Sequence, residues 1–157
     1  MRKEEILKSL QERFGADLVE IVDKSAKRVY IEIKPEALVK ISLYIFKDLG
    51  ARFNIASGMD TPHDMEILYH FTIERINLII SLRVKLPKEK PEIDSLAPHF
   101  EAANWIEREM QELLGIKFNG HPDMRRLLLP DEWPEGVYPL RRDYEEWDKT
   151  AIRDRGV

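Results

Sequence analysis

The chain has 157 residues, 43% of them hydrophobic and 34% charged, with 25 Lys plus Arg against 29 Asp plus Glu and a net charge of −4. That length predicts one domain with a real core, and the acidic balance lacks the basic footprint that a phosphate backbone demands, which argues against nucleic acid as a partner. The lack of any cysteine removes disulfides, thiolate-held iron–sulfur clusters, Cys-ligated zinc or nickel and a cysteine nucleophile.

Met1 to Leu10 alternates charged and aliphatic residues without the apolar run of a signal peptide, and no stretch approaches eighteen consecutive apolar residues. A soluble, cytoplasmic chain without direct membrane insertion is expected. Ile6, Leu7, Leu10 and Phe14 have helical spacing and stop at Gly15, which predicts an amphipathic helix with a glycine C-cap. Two β-rich runs follow, Leu18 to Val22 and Val29 to Ile33, joined by the polar turn Asp23 to Lys27. Pro35 can start a helix, and Leu38, Ile41, Ser42, Ile45 and Leu49 mark one face of it up to Gly50.

Ala51 to Ala56 predicts a strand and Ser57 to Pro62 a loop. Met65, Ile67, Tyr69, Phe71 and Ile73 alternate with polar or smaller partners, as do Leu78, Ile80, Leu82, Val84 and Leu86. This is the period of half-buried strands, in a hairpin turning near Arg75 to Asn77. Pro87 and Pro91 bound a charged loop. Pro98 then opens a helix carrying Phe100, Ala103, Ile106, Met110 and Leu113, capped by Gly115. The order predicts an α+β fold over residues 1–115: a mixed, largely antiparallel sheet with helices packed on one face.

Residues 116–157 read differently, as an extended C-terminal arm with no sustained period. Four prolines lie in it, yet so do Ile116, Phe118, Met124, Leu127, Leu128, Leu129, Trp133, Val137, Tyr138, Leu140, Tyr144 and Trp147. That is too apolar for disorder, so the arm needs a surface, either its own domain or a partner. Greasy contact alone does not offset the ordering of so many residues. The arm's Arg125, Arg126, Arg141, Arg142, Asp123, Asp131 and Asp143 are expected to add charge-assisted hydrogen bonds. Order is expected to fade beyond Tyr144.

The residues offer little chemistry. His63, His70, His99 and His121 show no metal spacing and read as surface or cap residues. Glu107 and Glu109 are two apart on a helix and do not face each other, so Glu107-Arg108-Glu109 reads as an ion-pairing or solvated surface. No phosphate-binding glycine pattern and no Gly-x-Ser-x-Gly elbow occurs. No catalytic, metal or cofactor-binding residue is expected.

The C-terminal third carries a resemblance. It lies in Trp105-Ile106-Glu107-Arg108-Glu109, Leu114-Gly115-Ile116-Lys117-Phe118, Gly120-His121-Pro122-Asp123-Met124-Arg125-Arg126-Leu127-Leu128, Pro130-Asp131-Glu132-Trp133 and Pro139-Leu140-Arg141-Arg142-Asp143-Tyr144. These blocks resemble the signature of the 30 kDa subunit of respiratory complex I (NADH:quinone oxidoreductase), a family that includes the corresponding subunit of membrane-bound [NiFe] hydrogenases. The resemblance implies a cofactor-free, non-catalytic assembly subunit in the hydrophilic arm of such a complex. It would be peripheral to the membrane, in contact with other hydrophilic-arm subunits, and would clasp the large nickel–iron or 49 kDa-type subunit. The partner-binding residues it implies are Trp105, Glu107, Arg108, Glu109, Phe118, Gly120, His121, Pro122, Asp123, Arg125, Arg126, Leu127, Pro130, Asp131, Trp133, Pro139, Leu140, Arg141, Arg142, Asp143 and Tyr144. Gln111, Glu112 and Leu114, and the run Gly136-Val137-Tyr138-Pro139, depart from the respiratory pattern and look more like the hydrogenase-type branch. The quinone-reducing form and a sulfur-reducing relative are the near alternatives. The outgroup is a small stand-alone enzyme using His121, Asp123 and the arginines as an anion site.

Overall fold

The computed structural model describes residues 1–145. A five-stranded sheet organises them, its strands lying side by side in the order β1 (Leu18–Ser25), β2 (Arg28–Ile33), β5 (Leu78–Leu86), β4 (Met65–Ile73) and β3 (Arg52–Asp60). Helix α1 (Lys3–Phe14) buries Ile6 and Leu10 and leads into β1 (Leu18–Ser25) and β2 (Arg28–Ile33), an antiparallel pair. Gly15 stays right-handed at φ −50°, so α1 does not end in the left-handed glycine cap that its sequence suggests. A turn of 3-10 helix at Pro35–Ala37 starts α2 (Leu38–Leu43), which widens into a π-turn over Tyr44–Asp48 before Gly50 reverses the chain at φ +65°.

β3 (Arg52–Asp60) and β4 (Met65–Ile73) are antiparallel, as are β4 and β5 (Leu78–Leu86), while β2 and β5 run parallel. β3 is longer than its apolar content suggests: Ser57 to Asp60, expected in a loop, pair with Leu68 to Met65. The pairing of β4 supplies the strand that local propensity does not. The charged loop after β5 hides β6 (Glu92–Asp94), which pairs in parallel with β7 (Lys117–Asn119) as a separate two-stranded sheet. Helix α3 (Ala103–Leu114) begins five residues after Pro98, the intervening residues forming turns.

Alternation places the core. Met65, Ile67, Tyr69, Phe71 and Ile73 of β4 are buried with Leu78, Ile80, Leu82, Val84 and Leu86 of β5. They join Ile6 and Leu10 of α1, Leu38 and Ile41 of α2 and Met110 and Leu114 of α3 in one cluster. Phe100, just before α3, packs among Phe46, Phe53 and Phe71 with ring centroids 4.9–6.2 Å apart. The other residues of the sheet pair polar side chains across strands: His70 with Ser81, Arg83 with Glu66 and Lys85 with Glu32. The fold is therefore the expected α+β sandwich with a largely antiparallel sheet. Ile116 and Phe118 also belong to the core, which carries the folded body past Gly115 to β7.

α3 reaches the sheet at Gly58 on β3. A Cβ there would stand 2.7 Å from Leu114 Cδ1 and 3.1 Å from Met110 Sδ, inside contact distance of both. Gly58→Val is expected to lift α3 and lower stability by about 1–3 kcal/mol, read as a lower urea midpoint at unchanged slope. An unchanged midpoint would mean that α3 yields freely at this crossing.

Candidate partner-binding site on α3 and the C-terminal arm

The helical turn divides α3 into three sides. Ala103, Glu107, Met110 and Leu114 face the core. Arg108 and Glu112 meet the arm, and Ile106, Glu109 and Leu113 line a cleft against β3. Trp105 projects away from the core and is 68% exposed.

Glu107 is fully buried, not solvated as its charged neighbours suggest. Its carboxylate accepts hydrogen bonds from Ser95 Oγ at 2.5 Å and from the Leu96 amide at 2.6 Å, so it fastens α3 to the turn after β6. Burial raises its pKa to about 7, against the opposing pull of those donors. Beside it, 3.9 Å away, lies the ring of His121, whose side chain is 1% exposed. His121 is thus an internal residue rather than a surface one. Its Nε2 stands 3.0 Å from the Asn104 carbonyl, and its Nδ1 accepts the Asp123 amide at 3.0 Å.

Arg108, also buried, donates from Nε to the Arg125 carbonyl at 2.8 Å and from Nη2 to the Arg126 carbonyl at 2.7 Å. One turn on, the two oxygens of Glu112 accept the amides of Leu127 and Leu128 at 3.0 and 2.8 Å. The described arm therefore returns over its own α3. Arg126 braces the arm internally, donating to the carbonyls of Pro130 and Trp133. Arg125 grips Asp123, and the Trp133 indole donates to the Val137 carbonyl.

A second anchorage sits at the helix end. Gly115 caps α3 in the left-handed conformation at φ +74°, and the Tyr138 ring lies so close that a Cβ on Gly115 would meet it at 2.5 Å. Arg141 stacks on Tyr138 with its guanidinium carbon 4.5 Å from the ring centroid, and donates to the Leu114 carbonyl at 2.6 Å. The Leu140 amide reaches the Leu113 carbonyl, and the Arg142 amide the Asp60 carboxylate.

Between the anchorages a groove of about 420 Å³ remains, walled by Arg108, Glu112, Met124, Leu129, Trp133 and Tyr138. The cleft along β3, about 260 Å³, is lined by Ile55, Ile106, Met110, Leu113 and Leu140. Of the expected contact residues, Glu107 and Phe118 are enclosed by the chain itself, and Arg108 and His121 are engaged within it. Glu109, Asp123, Leu127, Trp133, Pro139, Arg141 and Tyr144 are half-buried. Trp105, Gly120, Pro122, Arg125, Arg126, Pro130, Asp131, Leu140, Arg142 and Asp143 are exposed. Trp147 lies outside the described residues. Sequence reasoning missed Ser95, Asn104 and Asp60, which carry no pattern, and the grip of Glu112 on the arm, which no local spacing announces.

Among the described residues, no cluster of three or more His, Asp or Glu is placed to hold a metal, and no helix is long and apolar enough to cross a membrane. The arrangement is an amphipathic helix that packs on the core and holds an extended segment by its polar side, and comparison with known proteins identifies the class. The profile of the family described as respiratory-chain NADH dehydrogenase, 30 Kd subunit, matches residues 31–150. The chain belongs to this family. It is 32% identical over 152 residues to a subunit of the F(420)H(2) dehydrogenase of Methanosarcina mazei, covering 95% of this chain and 96% of that one. It is 30% identical over 161 residues to the beta subunit of the membrane-bound hydrogenase of Pyrococcus furiosus, covering 99% and 93%. A chain of the solved membrane-bound sulfane sulfur reductase, an archaeal respiratory membrane complex, shares the fold with a TM-score of 0.82 at 22% identity, covering 97% and 93%.

Two outcomes are expected at this site. Because the raised pKa of Glu107 makes the folded state hold a proton that the unfolded chain releases, its contribution is complete below about pH 4.5 and lost as pH rises through about 7. The amplitude is roughly 3 kcal/mol. Glu107→Gln, compared with wild type by urea denaturation across that window, should remove this slope; an unaltered slope would place the proton elsewhere. Arg108→Lys keeps the charge but cannot span two successive carbonyls. It should speed hydrogen exchange at the Leu127 and Leu128 amides by about tenfold or more while leaving β4 and β5 unaffected.

Proposed function

We propose that this chain is a non-catalytic subunit in the hydrophilic arm of a complex-I-related, membrane-bound oxidoreductase, and that α3 and the arm beyond β7 together clasp the large subunit. Family membership supports the first part, together with relatives that match over nearly their whole length and are named as subunits of such complexes. One observation carries the second. The arm's backbone is secured within the chain, yet Trp105, Leu128 and Leu140 remain 68%, 61% and 59% exposed, with Ile55 at 49% beside Leu140 in the β3 cleft. Large apolar side chains left exposed on a braced backbone are what a partner surface requires. Bracing also lowers the entropy lost on docking.

Within the family we assign the hydrogenase-type branch, with a nickel–iron type large subunit as the partner. Tyr138 supports this reading. It belongs to the run that departs from the respiratory pattern, and it seats the arm on Gly115 and Arg141. The chain joins the membrane peripherally, through its complex.

Trp105→Ala combined with Leu140→Asp should leave the isolated chain as stable as wild type, since both side chains are mostly exposed, and reduce retention of the co-expressed large subunit by at least about tenfold. Retention at the wild-type level would move the interface off this face. A co-purifying large subunit without paired Cys-x-x-Cys nickel ligands would overturn the branch assignment while leaving the clasp intact.

A further inference from the structure

His121 has both ring nitrogens committed, and to groups of opposite kind. The Asn104 carbonyl can only accept, so Nε2 carries the hydrogen; the Asp123 amide can only donate, so Nδ1 carries the lone pair. The ring is therefore neutral in this structure, and it is enclosed. An imidazolium would place a second N–H against the Asp123 amide, two donors face to face, in a pocket where water does not replace the lost acceptor. The turn from His121 to Asp123 leads directly into the carbonyls that Arg108 holds and the amides that Glu112 holds.

From this geometry we propose that His121 is a protonation latch: neutral, it closes the turn that delivers the arm onto α3, and protonated, it opens that turn and frees the arm. This regulation rests on the reading of the arm as the clasp only for its consequence in assembly; the latch itself is a property of the isolated chain.

The surroundings set the direction of the effect. From α3, Glu107 faces the ring and favours an added proton. From the arm, Asp123 couples to both His121 and Arg108. From β4, the Tyr69 hydroxyl lies within electrostatic reach of Glu107, and Ser95 donates to that carboxylate from the turn after β6. A proton on Glu107 leaves the turn undisturbed, because neither of its hydrogen bonds goes to the arm. Protonation of Glu107 favours the folded core, while protonation of His121 disfavours the docked arm, so the two events differ in sign and in place.

Residue-resolved hydrogen exchange on the full chain, expressed as protection factors to remove the intrinsic pH dependence, tests the latch. Between about pH 7.5 and about pH 5, protection should fall by about tenfold or more at the amides of Asp123, Leu127, Leu128 and Leu140, with β4 and β5 unchanged. His121→Asn retains a side-chain acceptor for the amide two residues on but does not titrate, so its arm should keep its protection across the range. A similar fall in His121→Asn, or no fall in wild type, overturns the proposal. The ring nitrogens of wild-type His121, followed by NMR, give a check that needs no variant: Nδ1 should gain its proton in step with the loss of arm protection. An arm that opens while Nδ1 stays unprotonated also overturns it. Retention of the large subunit at both pH values separates the readings: an acid-opened arm with unchanged retention sinks the clasp and spares the latch.

Discussion

From Gly120 to Glu145 the chain forms neither helix nor strand, so its backbone N–H and C=O groups have no ladder to satisfy them. For Arg125 to Leu128, two residues on one face of α3 take over that duty. Arg108 can only donate and lies under two successive carbonyls, those of Arg125 and Arg126. Glu112, one turn later, can only accept and lies under two successive amides, those of Leu127 and Leu128. The pair is a template with a polarity. A slip of the arm by two residues would set amides against a guanidinium, or carbonyls against a carboxylate, leaving buried groups unpaired at a cost of about 1–3 kcal/mol each. Register is thus fixed by charge type, in a segment where hydrophobic periodicity has nothing to say.

Such a template is useful only if the helix beneath it is itself held still. α3 is fixed from the sheet side by the close approach of Met110 and Leu114 to Gly58, and from the β6 side by the Glu107 carboxylate on Ser95 and Leu96. Its far end is fixed by the glycine cap under Tyr138. The contacts are spread along the helix from Glu107 to Gly115. The arm consequently inherits the rigidity of the core although only part of its own apolar surface enters that core.

The division between what the sequence makes legible and what it conceals follows the range of the interactions. β4 and β5 were legible because burial on one face imposes alternation on nine consecutive residues. β6 and β7, three residues each, are too short to impose a period, and the C-terminal half of β3 is a strand only because β4 lies beside it. The family was legible from contiguous blocks of residues, which need no knowledge of tertiary partners to be recognised. Misread were residues whose partners lie farther along the chain, Glu107 with Ser95 and Leu96, His121 with Asn104 and Arg108 with the arm, and the like role of Glu112 went unread. A signal for one of them was available. Glu107 falls on the stripe of Ala103, Met110 and Leu114, and a lone carboxylate in an apolar stripe implies burial with dedicated donors, whatever charges flank it.

The same separation explains why a surface built for assembly can survive in the unassembled chain. If the arm were held by its leucines and tryptophan, those side chains would be spent before a partner arrived. Held instead through its backbone, it leaves Leu128 and Leu140 outward, Leu140 sharing the β3 cleft with Ile55. Apolar contact is undirected and would tolerate many arm positions, whereas the paired grips of Arg108 and Glu112 accept one. Polar contacts therefore set the geometry of the surface and apolar side chains are left to supply its adhesion. That allocation gives the surface a defined shape before docking, which lowers the ordering entropy left for the encounter itself.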